Sequence, residues 1–231
     1  MNIGIIGAGN IGGTLARRLT ELGHTITIAN SRGPETLADL ARETGATAGV
    51  AKQASHNQDL VIVTIPEVKV PDLPSDLFDG VAPEVAVVDT GNYYPQQRDG
   101  RIEEIEAGLP ESRWVEKQLG RSVVKAFNNI YFNSLGKKGR PAGTPGRIAL
   151  PVSGDDDAAK RTVMTLIDEL GFDTIDTGSL DDSWRYQPGT PAYVADSDLQ
   201  QLRERLAAAG QERQPEWRAT GESPADFTNP R

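Results

Sequence analysis

At 231 residues, the chain is longer than one small domain but shorter than two full ones, which predicts one core with a smaller appendage. Its formal net charge of -9 provides no basic surface for a phosphate backbone, so nucleic acid and anionic membranes are poor partner candidates. The lack of cysteine excludes disulfides, thiolate nucleophiles and cysteine-ligated zinc.

The N-terminal residues predict a strand, a glycine-rich turn and a helix. Residues 2–6 are apolar enough for a buried strand, and residues 11–22 have helical spacing. Glycines at this junction allow a tight turn in which backbone and helix N-terminus approach a pyrophosphate, as in a Rossmann unit. The residues predicted to contact a dinucleotide here are Gly7, Gly9, Asn10, Ile11 and Gly12.

The second predicted strand, residues 25–29, leads into Asn30, Ser31 and Arg32. An Asp or Glu about 20 residues after the glycines would accept the ribose 2′-hydroxyl of NAD(H). In this chain, Ser31 and Arg32 provide a hydroxyl and a guanidinium in place of that carboxylate, and a guanidinium can donate two hydrogen bonds to a phosphate. The alternative is an exposed turn with an incidental charge. We predict NADP(H) as the cofactor.

Strand-like and helix-like segments continue to alternate along the chain, which predicts an α/β, Rossmann-type doubly wound fold with a mostly parallel sheet. The expected elements are a helix that begins at Pro34 and ends at Gly45, strands over 59–65, 86–89 and 122–127, then a strand over 147–153, a helix over 155–170, a strand over 172–176 and a helix over 198–209. We therefore predict a dinucleotide-binding domain over 1–128 and a smaller C-terminal α/β lobe with a tail over 129–231. The tail, residues 210–231, is expected to be loosely packed or to form an arm over a partner subunit.

Ligands of open α/β sheets bind at the carboxyl ends of the strands, so residues just beyond each strand are candidates for the cleft wall. Simple strand termination explains Thr64 and Pro66 equally well. Two adjacent amides, Asn128 and Asn129, suit a carboxamide or a second ring system. The candidates from these segments are Thr64, Ile65, Pro66, Gly91, Asn92 and Asn128.

Several charged residues have a structural and a chemical interpretation. Lys125, inside an apolar strand, is either an edge-strand charge that prevents aggregation or a catalytic base. Three acids at 155–157 imitate a metal cluster but are better explained as helix-start residues. The histidines His24 and His56 are expected in surface or capping roles, so we predict no metal site.

The run over residues 183–191 combines two aromatics, an arginine and a Pro-Gly turn. It could line a flat aromatic pocket or form a packed loop or subunit contact. No residue stands out as a dedicated proton donor or nucleophile, since no Tyr is followed four residues later by Lys and no Gly-x-Ser-x-Gly segment exists. We predict no catalytic residue, because hydride transfer between two redox rings depends mainly on position and stacking.

Three segments together resemble the NADPH-dependent coenzyme F420 reductase family: residues 7–12, residues 30–32 and the stretch Val123-Val124-Lys125-Ala126-Phe127-Asn128. The resemblance extends to about Asp176. The Lys-Ala-Phe-Asn stretch is also similar to the reductase domain of six-transmembrane ferric reductases, which use a flavin.

This resemblance implies an enzyme that exchanges hydride reversibly between NADP(H) and the deazaflavin F420, in a cleft between the sheet and the smaller lobe. It also implies that Ser31 and Arg32 bind the 2′-phosphate, although the family's further basic residue is missing from 34–36. A homodimer is implied as well, with the Trp184 region and the tail as contacts.

Two other functions stay open at this stage. One is an NADPH-dependent reductase of flavin, ferric complexes or a small organic acceptor, and the other is a non-catalytic NADP-sensing protein. The first residues show no signal peptide, since glycines interrupt the first apolar run. We therefore expect a cytoplasmic protein with a small-molecule redox substrate.

Overall fold

The larger sheet has six parallel strands and forms the centre of the molecule. A computed structural model describes residues 1–229. The strands are β1 (Asn2–Ile6), β2 (Thr25–Ala29), β3 (Thr47–Gly49), β4 (Leu60–Val63), β5 (Ala86–Asp89) and β6 (Val124–Lys125). Their order is β3-β2-β1-β4-β5-β6. Every residue of β4 and β5 is buried, as expected for central strands covered on both faces.

Helices follow each strand of this sheet along the chain. They are α1 (Asn10–Glu21), α2 (Ala38–Thr44), α3 (Ala51–Ser55), α4 (Glu103–Glu106), α5 (Glu111–Leu119) and α6 (Phe132–Lys137), with 3₁₀-helices over Pro34–Leu37 and Glu67–Asp72. Helix α1 packs on the sheet because its apolar residues Leu15, Ala16 and Leu19 lie on one face and are buried.

A second, two-stranded parallel sheet follows, formed by β7 (Ala149–Val152) and β8 (Asp173–Asp176). Helix α7 (Asp157–Glu169) connects the two strands, and α8 (Leu199–Ala207) follows them. The Asp156 carboxylate accepts hydrogen bonds from the amides of Ala158 and Ala159, at 2.7 and 3.0 Å. The acids over 155–157 therefore begin a helix, as predicted.

The two sheets meet along β6 and share apolar packing. Lys125 and Ser153 exchange backbone hydrogen bonds of 2.8 and 3.2 Å, which join the edge of the larger sheet to the end of β7. One continuous apolar cluster includes Ile5 of β1, Val152 of β7 and Val163 of α7. Both sheets contribute to this one cluster, so the apolar packing does not mark a boundary between domains. The division of the chain at residue 128 stays a prediction.

The predicted α/β doubly wound fold is confirmed, and the elements differ from the prediction at three places. The strand expected over 122–127 is only two residues long, Val124–Lys125, and Phe127 beyond it takes a left-handed conformation with φ of 64°. The helix expected from Pro34 ends at Gly45 as predicted, but it begins as a 3₁₀-helix and becomes α-helical at Ala38. The short strand β3, with a single buried residue at Gly49, was not predicted.

The tail is not loosely packed where it is described. Ala219 is fully buried, and Arg213 forms an ion pair with the fully buried Glu111 of α5. Trp217 lies against Tyr94, with ring centroids 6.2 Å apart. Residues 230–231, which belong to the same prediction, lie outside the described residues.

Both histidines, expected in surface or capping roles, contact groups of neighbouring segments. His24 contacts Glu169 at 2.9 Å, and His56 contacts the carbonyl oxygen of Asp79 at 3.0 Å. Over residues 1–229, His and acidic side chains form no group with the arrangement of a metal site. In the same range, no helix is long and apolar enough to cross a membrane.

Candidate functional site

A cleft of about 380 Å³ opens at the carboxyl ends of β1, β4 and β5. The strand order reverses between β1 and β4, which is the place where open α/β sheets bind ligands. Nine of the residues predicted from the sequence line this cleft together: Gly9, Asn10, Ile11, Thr64, Ile65, Pro66, Gly91, Asn92 and Asn128. Gly7, Gly12, Asn30 and Ser31 do not line it, and Arg32 lines an adjoining cavity.

The turn between β1 and α1 depends on glycine for two different reasons. Gly7 has φ of 116°, and a Cβ there would lie 2.2 Å from the carbonyl oxygen of Thr64. A Cβ on Gly12 would lie 2.0 Å from the carbonyl oxygen of Gly7. The start of α1 therefore lies so close to the ends of β1 and β4 that neither position has room for a side chain.

Gly9 is the exception, because a Cβ on it would meet nothing within 4 Å. It precedes α1, and no side chain caps the helix at this position. The first amides of a helix have no partner within the helix, and they favour an anion at its N-terminus. The open space beside Gly9 therefore fits a phosphate group or the backbone of a dinucleotide.

Asn30 shapes the turn after β2. Its Oδ1 accepts from the amide of Arg32 at 3.0 Å, and its Nδ2 donates to Thr36 Oγ1 at 2.9 Å. Both Ser31 and Arg32 are exposed. Asn30 therefore positions its two neighbours, whose side chains remain available for a ligand.

Arg32 lines a second cavity of about 720 Å³, which shares Gly9, Asn10 and Phe132 with the cleft. Over residues 1–229, neither Arg32 nor Lys137, a second cation in this cavity, has an ion-pair partner. The nearby acid Glu43 is paired with Arg17 at 2.6 Å, and that arginine lowers the pKa of the Glu43 carboxyl. Two unpaired cations therefore remain, which suits an anionic ligand group. Lys137 was missed from the sequence, because it comes from α6, far from the phosphate turn.

Asn92 and Asn128 form an amide pair at the back of the cleft. Asn92 Nδ2 donates to the Asn128 carbonyl at 3.1 Å, while Asn128 Nδ2 donates to Asn92 Oδ1 at 3.2 Å and to the Tyr186 carbonyl at 2.9 Å. The Oδ1 atoms of Asn128 and Asn129 are buried and accept no hydrogen bond from any residue over 1–229. An unsatisfied buried acceptor is costly, so Asn128 Oδ1 fits a ligand that brings N–H groups, such as a carboxamide.

Lys125 is neither of the two things predicted for it. Its strand is an edge strand, but the side chain is fully buried, so it cannot act as an exposed charge that prevents edge pairing. Its Nζ donates to Asp89 Oδ2 at 2.9 Å and to the Gly91 carbonyl at 2.6 Å, and it does not line the cleft. The lysine therefore holds the loop after β5 in place from the buried side of that loop.

Burial alone lowers the pKa of Lys125, but the nearby carboxylates of Asp89, Glu67 and Glu111 outweigh it and hold the pKa above its ordinary value. Asp89 also accepts from the Gly91 amide at 2.8 Å and from Ser112 Oγ at 2.7 Å. The cluster thus fixes both backbone groups of Gly91, a residue of the cleft wall.

Glu67 lies directly behind Gly91 and was not identified from the sequence. It is fully buried, and neither carboxyl oxygen has a hydrogen-bond partner over residues 1–229. Burial, together with the charge of Asp89, raises the pKa of Glu67 well above its ordinary value. A Cβ on Gly91 would lie 2.4 Å from Glu67 Oε1, which explains the glycine at this position.

Aromatic side chains form the other side of the cleft, and no sequence pattern predicted that they would meet. They are Tyr94, Tyr131, Phe132 and Tyr193. Tyr131 and Phe132 are 60% and 37% exposed, high values for side chains of this size. Exposed aromatics beside a cleft favour a flat ring as ligand.

No residue of the run over 183–191 lines the cleft, although Trp184 lines a separate cavity, and part of the run is packed as a loop. Its role as a subunit contact stays a prediction. Ser183 and Tyr186 are fully buried, and the Tyr186 hydroxyl donates to the Lys125 carbonyl at 3.3 Å. Trp184 stacks with Arg185, whose guanidinium carbon lies 4.8 Å from the ring centroid. The loop therefore supports the cleft from behind.

Comparison with known proteins adds a family and three relatives. Residues 2–93 match the family described as NADP oxidoreductase, coenzyme F420-dependent. SMa0349, a hypothetical protein from Sinorhizobium meliloti, is 31% identical, with a TM-score of 0.70 over 84% of this chain and 94% of that one.

The other two relatives match this chain at lower identity or over a shorter stretch. A proposed F420-dependent NADP reductase from Arthrobacter sp. FB24 is 24% identical, with a TM-score of 0.62 over 77% of this chain and 85% of that one, which shows a shared fold. YjhV of Escherichia coli strain K12 is 48% identical over 56 residues. That match spans 24% of this chain and 41% of YjhV, less than half of the curated relative.

Proposed function

We propose that this chain exchanges hydride between NADP(H) and the deazaflavin F420. The chain belongs to the same protein family as SMa0349 of Sinorhizobium meliloti and is an NAD(P)-dependent oxidoreductase. The observation that carries the proposal is the position of Arg32. It stands unpaired after β2, where a carboxylate would select NAD(H), in a cavity that adjoins an aromatic cleft.

The residues of the cleft fit each part of NADP(H). The glycine turn and the open position at Gly9 suit the pyrophosphate, and Ser31 and Arg32 suit the 2′-phosphate. The unsatisfied Oδ1 of Asn128 suits the carboxamide of the nicotinamide. When bound, the reduced cofactor supplies the hydride.

The residues of this chain act by binding and orientation. Lys125 and Asp89 fix the backbone of Gly91, so this part of the cleft wall is already in place before a ligand binds. Tyr131 and Phe132 offer apolar surface that excludes water from one side of the cleft. Position and stacking suffice for hydride transfer between two rings, so no acid–base residue is required.

The acceptor is proposed to be F420 because the N-terminal residues match the F420-dependent family and the cleft presents aromatic rings. The test is to mix the purified protein with NADPH and F420 and to follow the absorbance of both. We expect both spectra to change together, and more slowly when NADH replaces NADPH.

Parallel reactions with FMN, with a ferric chelate and with a small imine use the same NADPH assay. Turnover with one of these and none with F420 would replace F420 as the acceptor. Binding of NADPH without hydride transfer to any acceptor would favour a non-catalytic NADP-sensing protein.

A further inference from the structure

Two tyrosines from distant parts of the chain meet in the cleft. Tyr94 follows β5, and Tyr193 lies in the segment before α8, 99 residues later. Both side chains line the cleft together with Asn92 and Asn128, and their hydroxyl oxygens contact each other. The pair therefore places two polar atoms among otherwise aromatic walls.

The hydrogen bonds of this pair leave one proton unused. Each hydroxyl carries one proton and can accept as well as donate. One of the two protons forms the hydrogen bond between the hydroxyls, and neither hydroxyl has another hydrogen-bond partner over residues 1–229. One O–H donor thus remains for a ligand in the cleft.

The two rings are held by their surroundings. Trp217 of the tail lies 6.2 Å from each ring, measured between centroids, and the Arg98 guanidinium lies 5.1 Å from the centroid of Tyr94. Placing Tyr193 here costs backbone strain, because Val194 and Asp196 have φ of 48° and 43°.

Contacts of Asp196 keep this strained segment in place. Its Oδ2 accepts from Ser134 at 2.6 Å and from Lys138 at 2.7 Å, and both residues belong to the region of α6 that also carries Phe132. Strain of this kind persists only where the surrounding structure fixes it, and it concentrates at ligand sites.

Burial keeps both tyrosines neutral. It raises the pKa of Tyr94 and the pKa of Tyr193 above their ordinary value, since a phenolate would lose its hydration in this position. A neutral pair donates a hydrogen bond and does not give up its proton.

We infer that the Tyr94–Tyr193 pair recognises the hydride acceptor by donating a hydrogen bond to an oxygen or nitrogen atom on the edge of a flat heterocycle. This inference rests on the proposed function and specifies its acceptor site. It selects planar acceptors with a carbonyl oxygen or imine-type nitrogen at the ring edge, and it disfavours apolar rings of the same size, which would leave the donor unpaired.

The test measures binding of oxidised F420 by fluorescence anisotropy, without turnover. The variants are Tyr94→Phe, Tyr193→Phe and the double variant, which keep the rings and remove the hydroxyls. Tyr93→Phe is the control, since it removes a hydroxyl that donates to Glu106 and does not line the cleft. Calorimetry with NADPH and urea unfolding check the cofactor site and the fold of each variant.

We expect about fivefold to tenfold weaker F420 binding in the double variant, the size of one lost hydrogen bond. Each single variant should lose less, because the remaining hydroxyl still carries one proton that it can donate. NADPH affinity should not change, and Tyr93→Phe should bind F420 as the wild type does. Wild-type affinity for F420 in the double variant would overturn the inference while leaving the proposed function intact.

A wild-type protein that binds no F420 would instead overturn the proposed acceptor. The same variants are then titrated with FMN. Weaker FMN binding in the Phe variants would support the role of the pair, and unchanged binding, or no FMN binding by the wild type, would contradict it.

Discussion

The two sides of the cleft are built in different ways. The phosphate side comes from residues 7–32, and it depends on backbone geometry and on the exposed Arg32. The aromatic side brings together Tyr94, Phe132 and Tyr193 from three separate segments, and Trp217 of the tail packs behind it. The first side is therefore a local property of one strand–turn–helix unit, whereas the second exists only when the whole chain has folded.

The largest expected effect concerns Lys125, which lies between the two sides. Lys125→Met removes the cation and leaves Asp89 and its neighbours buried without compensation. We expect a loss of about 3–5 kcal/mol in the free energy of unfolding, measured with urea. The control, Lys52→Met, breaks an exposed pair with Asp76 and should cost nothing measurable. Equal effects would show that the buried cluster does not hold the cleft wall.

The phosphate side is tested by two alanines. Gly12→Ala places a Cβ against the Gly7 carbonyl and should cost about 1–3 kcal/mol of stability. Gly9→Ala meets no protein atom, so it should fold normally while it binds NADPH more weakly. Thermal unfolding and calorimetry with NADPH separate the two results. A Gly9→Ala variant with wild-type affinity would mean that no phosphate lies beside this residue.

Arg32→Ala tests cofactor choice. Removing an unpaired guanidinium beside the proposed 2′-phosphate should weaken NADPH roughly 30-fold, the size of one charge-assisted hydrogen bond, and leave NADH nearly unchanged. Calorimetry with both cofactors measures this ratio. Equal losses for NADPH and NADH would show that Arg32 is misassigned.

The smallest expected effect is a pH dependence. The pKa of Glu67 in the folded protein is raised above its value in the unfolded chain, so the stability it contributes is complete at low pH and is lost as pH rises through the folded pKa. Glu67→Gln removes this loss, so the free energy of unfolding of the variant relative to that of the wild type should rise as the pH rises from roughly 5 to 9.

Urea unfolding at the two pH values checks this result for Glu67→Gln. The control is Glu43→Gln, at an exposed carboxylate whose pKa Arg17 lowers. Its stability relative to the wild type should not rise with pH. An advantage of Glu67→Gln that is the same at both pH values would mean that Glu67 stays charged in the folded protein.

The phosphate side could be predicted from the sequence because its signals are local. Gly7, Gly12 and Arg32 occur in one short stretch with strand and helix patterns around them. Gly9, Asn10 and Ile11 of the same stretch line the cleft as predicted. The roles of Lys125 and Glu67 could not be predicted, because a charge in an apolar segment looks the same whether its partner is water or a buried acid.

The aromatic side had no such signal. The contact between Tyr94 and Tyr193 depends on the strained segment around Val194, and Trp217 belongs to a polar tail that we expected to pack loosely. Contacts across 99 residues leave no pattern in either segment alone.

A crystal structure of the protein with NADP⁺ would show where each part of the cofactor binds. We expect the 2′-phosphate within hydrogen-bond distance of the Arg32 guanidinium, the pyrophosphate over Gly9 and the carboxamide on Asn128 Oδ1, with the nicotinamide facing the Tyr94–Tyr193 pair. A 2′-phosphate away from Arg32, or a nicotinamide outside the aromatic cleft, would contradict this expectation.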